Sequence, residues 1–170
     1  IDLPLATYIP TDYVPDTQLR LRLYRRMATL DTLAEIDEMA AELADRFGPI
    51  PDPLHNLLYQ IRVKALAQMA AVNAVVTEAG QIRIRLDELG GMDRFHLQRY
   101  LGESVRVSKS AVWLRKDRST HEWQVELVQV LEKLPPYKAA MAVRPLKSVF
   151  LNAIVSGVKA GAGKAGDVVN

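Results

Sequence analysis

Cysteine is absent from the 170 residues, which removes disulfide frameworks, thiolate zinc sites and thiol catalysis together and makes a cytoplasmic protein the expectation. No apolar run approaches the roughly 18 residues that a membrane span needs. Nor does a basic N-terminus with an apolar core and a cleavage site direct export. Histidines are few: His55, His96 and His121 stand in separate segments without paired ligand spacing, so no metal is expected. No serine sits in a G-x-S-x-G elbow, and no catalytic constellation emerges. The expectation is a domain without enzymatic activity or cofactor. Net charge is only +2, too little to announce a nucleic-acid binder by itself. The first residue is Ile1 rather than Met, which suggests one domain of a longer protein.

Hydrophobic residues reach 49% and charged residues 25%, the usage of an ordinary folded chain. Residues 1–10 are short, apolar and closed by Pro10, and suit an extended entry segment. Pro15-Asp16 reads as a helix start. Leu19, Leu23, Met27 and Leu30 follow helical spacing, although Leu-Arg alternation locally favours a strand; we assign helix. Over 31–47, Leu33, Ile36, Ala40, Leu43 and Phe47 recur at steps of three and four, and Gly48-Pro49 stops the helix. Pro53 opens a third helix with Leu54, Leu57, Leu58, Ile61, Ala65 and Val72 on one face. Val63 and Leu66 widen that face, predicting a helix packed on more than one side.

After Val72 the period changes to two: Val75 and Val76 lead through Ala79-Gly80 to Ile82, Ile84 and Leu86, alternating with Arg83 and Arg85. Gly90-Gly91 breaks the chain before a short helix over 92–101, and a second hairpin is predicted between 105–107 and 111–114. Ser119 and Glu122 have capping-box spacing before Trp123, Leu127, Val130, Leu131 and Leu134, and Pro135-Pro136 is expected to end that helix. The fold class is therefore α+β, a helical N-terminal half followed by two small hairpins with intervening and C-terminal helices in one compact domain. Phe47 and Trp123 are its expected buried anchors. We assign 1–135 to this domain and 136–170 to a basic Ala/Gly-rich tail. The tail's Gly161, Gly163 and Gly166 spell G-x-G-x-x-G, but a dinucleotide site needs a strand before and a long helix after, and the chain stops at Asn170. Gly163-Lys164 also mimics a phosphate loop, yet Val158 and Ala165 replace its first glycine and its Ser/Thr.

Two charged sets remain. On the second helix Asp31, Glu35, Glu38, Glu42 and Asp45 fall opposite the apolar stripe when residues turn by about 100°. Such a face is either a solvated helix back or a docking surface for a basic partner. Arg46, four residues after Glu42, could pair locally or reach that partner. The basic set Arg20, Arg22, Arg25 and Arg26, with Arg83 and Arg85, could attract phosphates. Aromatic residues make up only 6% and no nucleic-acid motif accompanies the charge, which favours a salt-laced surface that pairs with the acidic helix.

The strings Tyr8-Ile9-Pro10, Tyr13-Val14-Pro15-Asp16, Arg22, Tyr24-Arg25-Arg26, Asp45-Arg46-Phe47-Gly48-Pro49-Ile50-Pro51, Asn56-Leu57-Leu58 and Lys64-Ala65 resemble the C-terminal domain of bacterial transcription-repair coupling factors. The resemblance covers residues 8–67 strongly, loosens to about Leu134 and is absent from the tail. It implies a parent that recognises stalled RNA polymerase, translocates on DNA with ATP and recruits the damage-recognition ATPase of nucleotide excision repair; no helicase motif stands in this chain. It further implies an autoinhibitory clamp on the parent's N-terminal repair-recruiting module, linked indirectly to that ATPase and to RNA polymerase. On that reading Glu42, Asp45 and Arg46, with Glu38 on the same face, make the intramolecular contacts. The alternative is an accessory DNA-contacting domain of the same or another DNA repair protein; on the clamp reading any contact with DNA is expected to be weak.

Overall fold

In the computed structural model residues 1–86, 93–115 and 120–142 are described. The N-terminal segment is extended, with Asp2 bridging Val76 in parallel and with Leu3 and Ile9 buried. Helix α1 spans Thr17–Ala28, capped by the Asp16 carboxylate, which accepts from the Gln18 and Leu19 amides at 2.8 Å and 3.0 Å. Helix α2 spans Leu33–Phe47 behind a Thr32/Glu35 capping box. Helix α3 spans Asp52–Met69, with proline in its first turn, where the missing N–H costs no intrahelical bond.

These three helices share a core in which Leu23 and Met27 of α1, Ile36, Met39 and Leu43 of α2, and Leu54, Leu58 and Ala65 of α3 are buried with Ile9 and Val14. Met39, which the stripe reading omitted, is fully buried, while Leu33 and Ala40 pack from its margins. Phe47 also lies at the margin: it is half-buried, not an anchor, because it occupies the last turn of α2 beside the exposed Arg46. Val63, Leu66 and Ala67 are buried as well, so α3 is covered on more than one side. Val72 lies beyond the end of α3 at Met69 rather than on its face, because the chain turns through Ala70 and Ala71, the latter at φ 48°.

The second half is a four-stranded antiparallel sheet ordered β1-β2-β4-β3. Strands β1 (Ala74–Glu78) and β2 (Gln81–Arg85) form the first hairpin. Ala79 and Gly80 both take positive φ between them, the geometry that matches strand twist in a two-residue turn. Helix α4 is Arg94–Leu101, and β3 (Val105–Val107) with β4 (Ala111–Arg115) forms the second hairpin. Gln98 of α4 fastens the β3 backbone by accepting from the Val107 amide and donating to the Val105 carbonyl. The two hairpins join through β2 and β4. One sheet face buries Val75, Ile82, Ile84, Val105, Val112 and Leu114.

Helix α5 runs Thr120–Ala142, so Pro135-Pro136 does not end it. A proline φ is helical; what it removes is the amide bond to the preceding turn, at about 3 kcal/mol or more. Trp123, Leu127, Val130, Leu131 and Leu134 are all buried in the preceding turns. Tyr137, just past the pair, is buried too, and burying a large apolar side chain contributes about 1.5–3 kcal/mol against that loss. The chain divides into two units between Pro135 and Pro136, and the second is described only at 136–142, where it is helical. Gly90-Gly91, Ser119 and residues 143–170, including the glycine-rich motif, lie outside the described residues. Among the described residues no helix is long and apolar enough to cross a membrane.

Candidate docking surface on the second helix

The polar side of α2 follows from its caps and its stripe. Glu35 is committed to the N-terminus: its Oε2 accepts from the Thr32 and Asp31 amides at 2.9 Å and 3.2 Å, which holds its carboxyl below the ordinary value. Asp37 is ion-paired to Arg62 of α3. One turn further on, Glu42 is held from both sides. Its Oε2 accepts from Arg26 of α1 at 2.5 Å and its Oε1 from Arg46 at 2.9 Å. The bond from Arg26, followed by that from Arg46, lowers the Glu42 pKa.

Of the four residues singled out by sequence, the structure thus joins Glu42 to Arg46 and adds Arg26, whose pairing with the acidic helix was the expectation for the basic set. Glu38 and Asp45 are exposed and have no ion pair or hydrogen-bond partner for their side chains among the described residues. Arg46 also lies over the Phe47 ring, 5.3 Å from its centroid, and Phe47 meets Tyr13 at 5.7 Å. The Tyr13 hydroxyl stands 2.9 Å from both the Leu43 and Gly48 carbonyls, so one hydroxyl ties the last turn of α2 to the residue that caps it. Sequence spacing pointed to the acidic side chains; the Tyr13 ring and hydroxyl that brace the end of their helix come from 30 to 35 residues away in the chain and gave no periodic signal.

No three histidine or carboxylate side chains gather to hold a metal among the described residues. What the surface offers is fixed charge: two arginines locked on one carboxylate, with free carboxylates beside them. Its kinship is decided by comparison with known proteins. The model of the TRCF domain family matches residues 3–95, more than half of the chain and all of the α1–α3 unit. The chain belongs to the TRCF domain family. The transcription-repair-coupling factor of Haemophilus influenzae is 39% identical over 80 residues, which cover 47% of this chain and 7% of that protein. That of Mycobacterium bovis is 32% identical over 142 residues, covering 79% of this chain and 11% of that protein. The chain thus spans a small part of these relatives' length. A crystal structure of the C-terminal domain of a transcription-repair coupling factor has the same fold, with a TM-score of 0.70 at 21% identity over 82% of this chain and 92% of that one.

Within this TRCF domain, the strings that carry the resemblance have identifiable structural tasks. Asp16 caps α1 and Tyr13 closes α2. The Tyr24 hydroxyl accepts from the Ile9 amide at 2.7 Å. Gly48 takes φ 87° at the α2 stop, and the Asn56 amide donates to the Ala6 carbonyl at 3.2 Å.

Proposed function

We propose that this chain is a non-catalytic regulatory domain of a transcription-repair coupling factor. It docks on the parent's N-terminal repair-recruiting module and masks the surface for the excision-repair damage-recognition ATPase until RNA polymerase is engaged. Family membership supports the parent. The observation that carries the docking reading is the unpartnered pair Glu38 and Asp45 beside the Glu42–Arg26–Arg46 cluster. Arg26 and Arg46 have already lost rotamer freedom to Glu42, so their remaining N–H groups meet a partner carboxylate at reduced entropic cost. Glu38 and Asp45 supply acceptors for partner arginines. Partial burial of such pairs on docking gives register and specificity.

Titration calorimetry of the domain against the N-terminal module tests this. Glu38→Lys with Asp45→Lys should weaken docking by about tenfold or more and leave the melting temperature unchanged, since neither side chain supports the fold. In the full-length parent the same reversal should tighten recruitment of the repair ATPase without polymerase. Should deletion of the domain expose the recruitment surface while the reversal does not, other residues make the contact; should neither alter recruitment, the clamp reading fails.

A further inference from the structure

The outward face of the sheet carries a second charged surface that sequence alone does not assemble. Strand β2 presents Arg83 and Arg85 there, and the register places Arg83 opposite Trp113 of β4 and Trp113 opposite Arg106 of β3. The Arg83 and Arg106 guanidinium carbons stand 5.0 Å and 5.3 Å from the Trp113 ring centroid, so one indole holds two cations in a row across three strands. With strands about 4.8 Å apart, the two arginine backbones are about 10 Å apart. Arg115 follows along β4 opposite Gln81. Beside it a hollow of 340 Å³ is lined by Gln81, Glu103, Ser104, Arg106, Trp113 and Arg115. The outward positions of β1–β4 carry a single carboxylate, Glu78, which is bonded to Arg83 at 2.8 Å, and Asp2, bridged to Val76 at the sheet edge, adds a second in the same row. Arg85, Arg106 and Arg115 are exposed.

The geometry points to this face as a docking surface for single-stranded nucleic acid. Phosphates meet the arginine N–H groups, and unpaired bases stack on the guanidinium groups gathered at the indole. Charge complementarity selects a polyanion. The planar stack at the centre of the charge selects a single strand over a duplex, whose bases are already paired and stacked and would leave the stack unused. An acidic peptide matches the charge but has no run of planar rings for it. This surface goes beyond the docking face of α2 and does not depend on it.

The test is fluorescence anisotropy of a labelled oligothymidylate titrated with the full 170-residue chain at several salt concentrations. Wild type should bind saturably and more weakly as salt rises. Arg85→Gln with Arg106→Gln should weaken binding about tenfold or more and reduce the slope of log K against log salt by about 1.4, two single-strand phosphate contacts. Arg83→Lys with Arg106→Lys keeps the charge but removes both guanidinium groups at Trp113, and should lower single-strand affinity toward that for duplex. The charge-matched control Arg22→Gln with Arg25→Gln, on exposed positions of α1, should change affinity by no more than about twofold. The proposal is overturned by the absence of saturable binding, by equal loss in the control, by duplex DNA of the same length binding as tightly as the single strand, or by a polyglutamate peptide displacing the oligonucleotide at comparable concentration.

Discussion

Tyr13 braces the C-terminal end of the α2 surface. Its hydroxyl closes the Leu43 and Gly48 carbonyls, its ring rests on Phe47, and Phe47 in turn carries Arg46. The Tyr13 hydroxyl is protonated at neutral pH, and desolvation raises its pKa above the ordinary value of 10.0. Tyr13→Phe keeps the ring and leaves the carbonyls short of a donor. We expect it to cost about 1–2 kcal/mol, the value of a hydrogen bond to partly buried backbone acceptors. Urea unfolding should show a lower midpoint at unchanged slope, since the native fold is retained. A midpoint equal to wild type would mean that water already satisfies both carbonyls.

At the scale of elements, the end of α2 is set by backbone geometry as well as by Tyr13. Gly48 has φ 87° and ψ −164°, a region essentially reserved for glycine, yet a Cβ built there meets nothing within 4 Å. Gly48→Ala should therefore cost about 1–3 kcal/mol through backbone strain alone. Hydrogen exchange should quicken first at the Ala44 to Gly48 amides; uniform protection with unaltered stability would contradict this. Gly48 was legible in the sequence because a glycine-proline pair after an apolar period of three and four has one simple meaning. The helix start at Pro15-Asp16 and the Ala79-Gly80 turn were legible for similar local reasons, whereas the sequence reading placed no cap at Thr32. The arginine row around Trp113 was not, because alternation identifies a strand but not its neighbour: the pairing of β2 with β4 joins residues 30 apart in the chain. The passage of α5 through Pro135-Pro136 was hidden because local propensity predicts a stop, and nothing in the local pattern signals the buried Tyr137 beyond the pair. At the candidate site, helical spacing exposed the acidic face, whereas the bond from Arg26 to Glu42 depends on how α1 packs on α2.

For the whole molecule these local contacts set the pH range of stability. Asp16 and Glu35 have carboxyls held below their ordinary values by backbone amides, and Glu42 by Arg26 and Arg46. A lowered native pKa stabilises fully above the unfolded value, and that stability is lost as pH falls through the lowered native value. The acid loss therefore begins near the ordinary values, 3.8 for aspartate and 4.5 for glutamate, and continues below them. Tyrosine acts with the opposite sign. Tyr59 is mostly buried and donates to the Gln124 carbonyl of α5 at 2.9 Å, with its ring edge-on to Trp123 at 6.3 Å. Desolvation raises its pKa, as it does for Tyr13. The folded state thus keeps these protons after the unfolded chain releases them, and stability falls once pH exceeds the ordinary tyrosine value of 10.0. Tyr59→Phe separates this linkage from the hydrogen bond. Loss of the bond should lower the urea midpoint at pH 7 by an amount corresponding to about 1 kcal/mol, whereas loss of the ionisable group should make the further decline between pH 9.5 and 11 shallower than in wild type. Parallel declines in the two proteins over that interval would show that Tyr59 does not set the alkaline limit. A steeper decline in the variant would place that limit on groups that the α3–α5 contact protects.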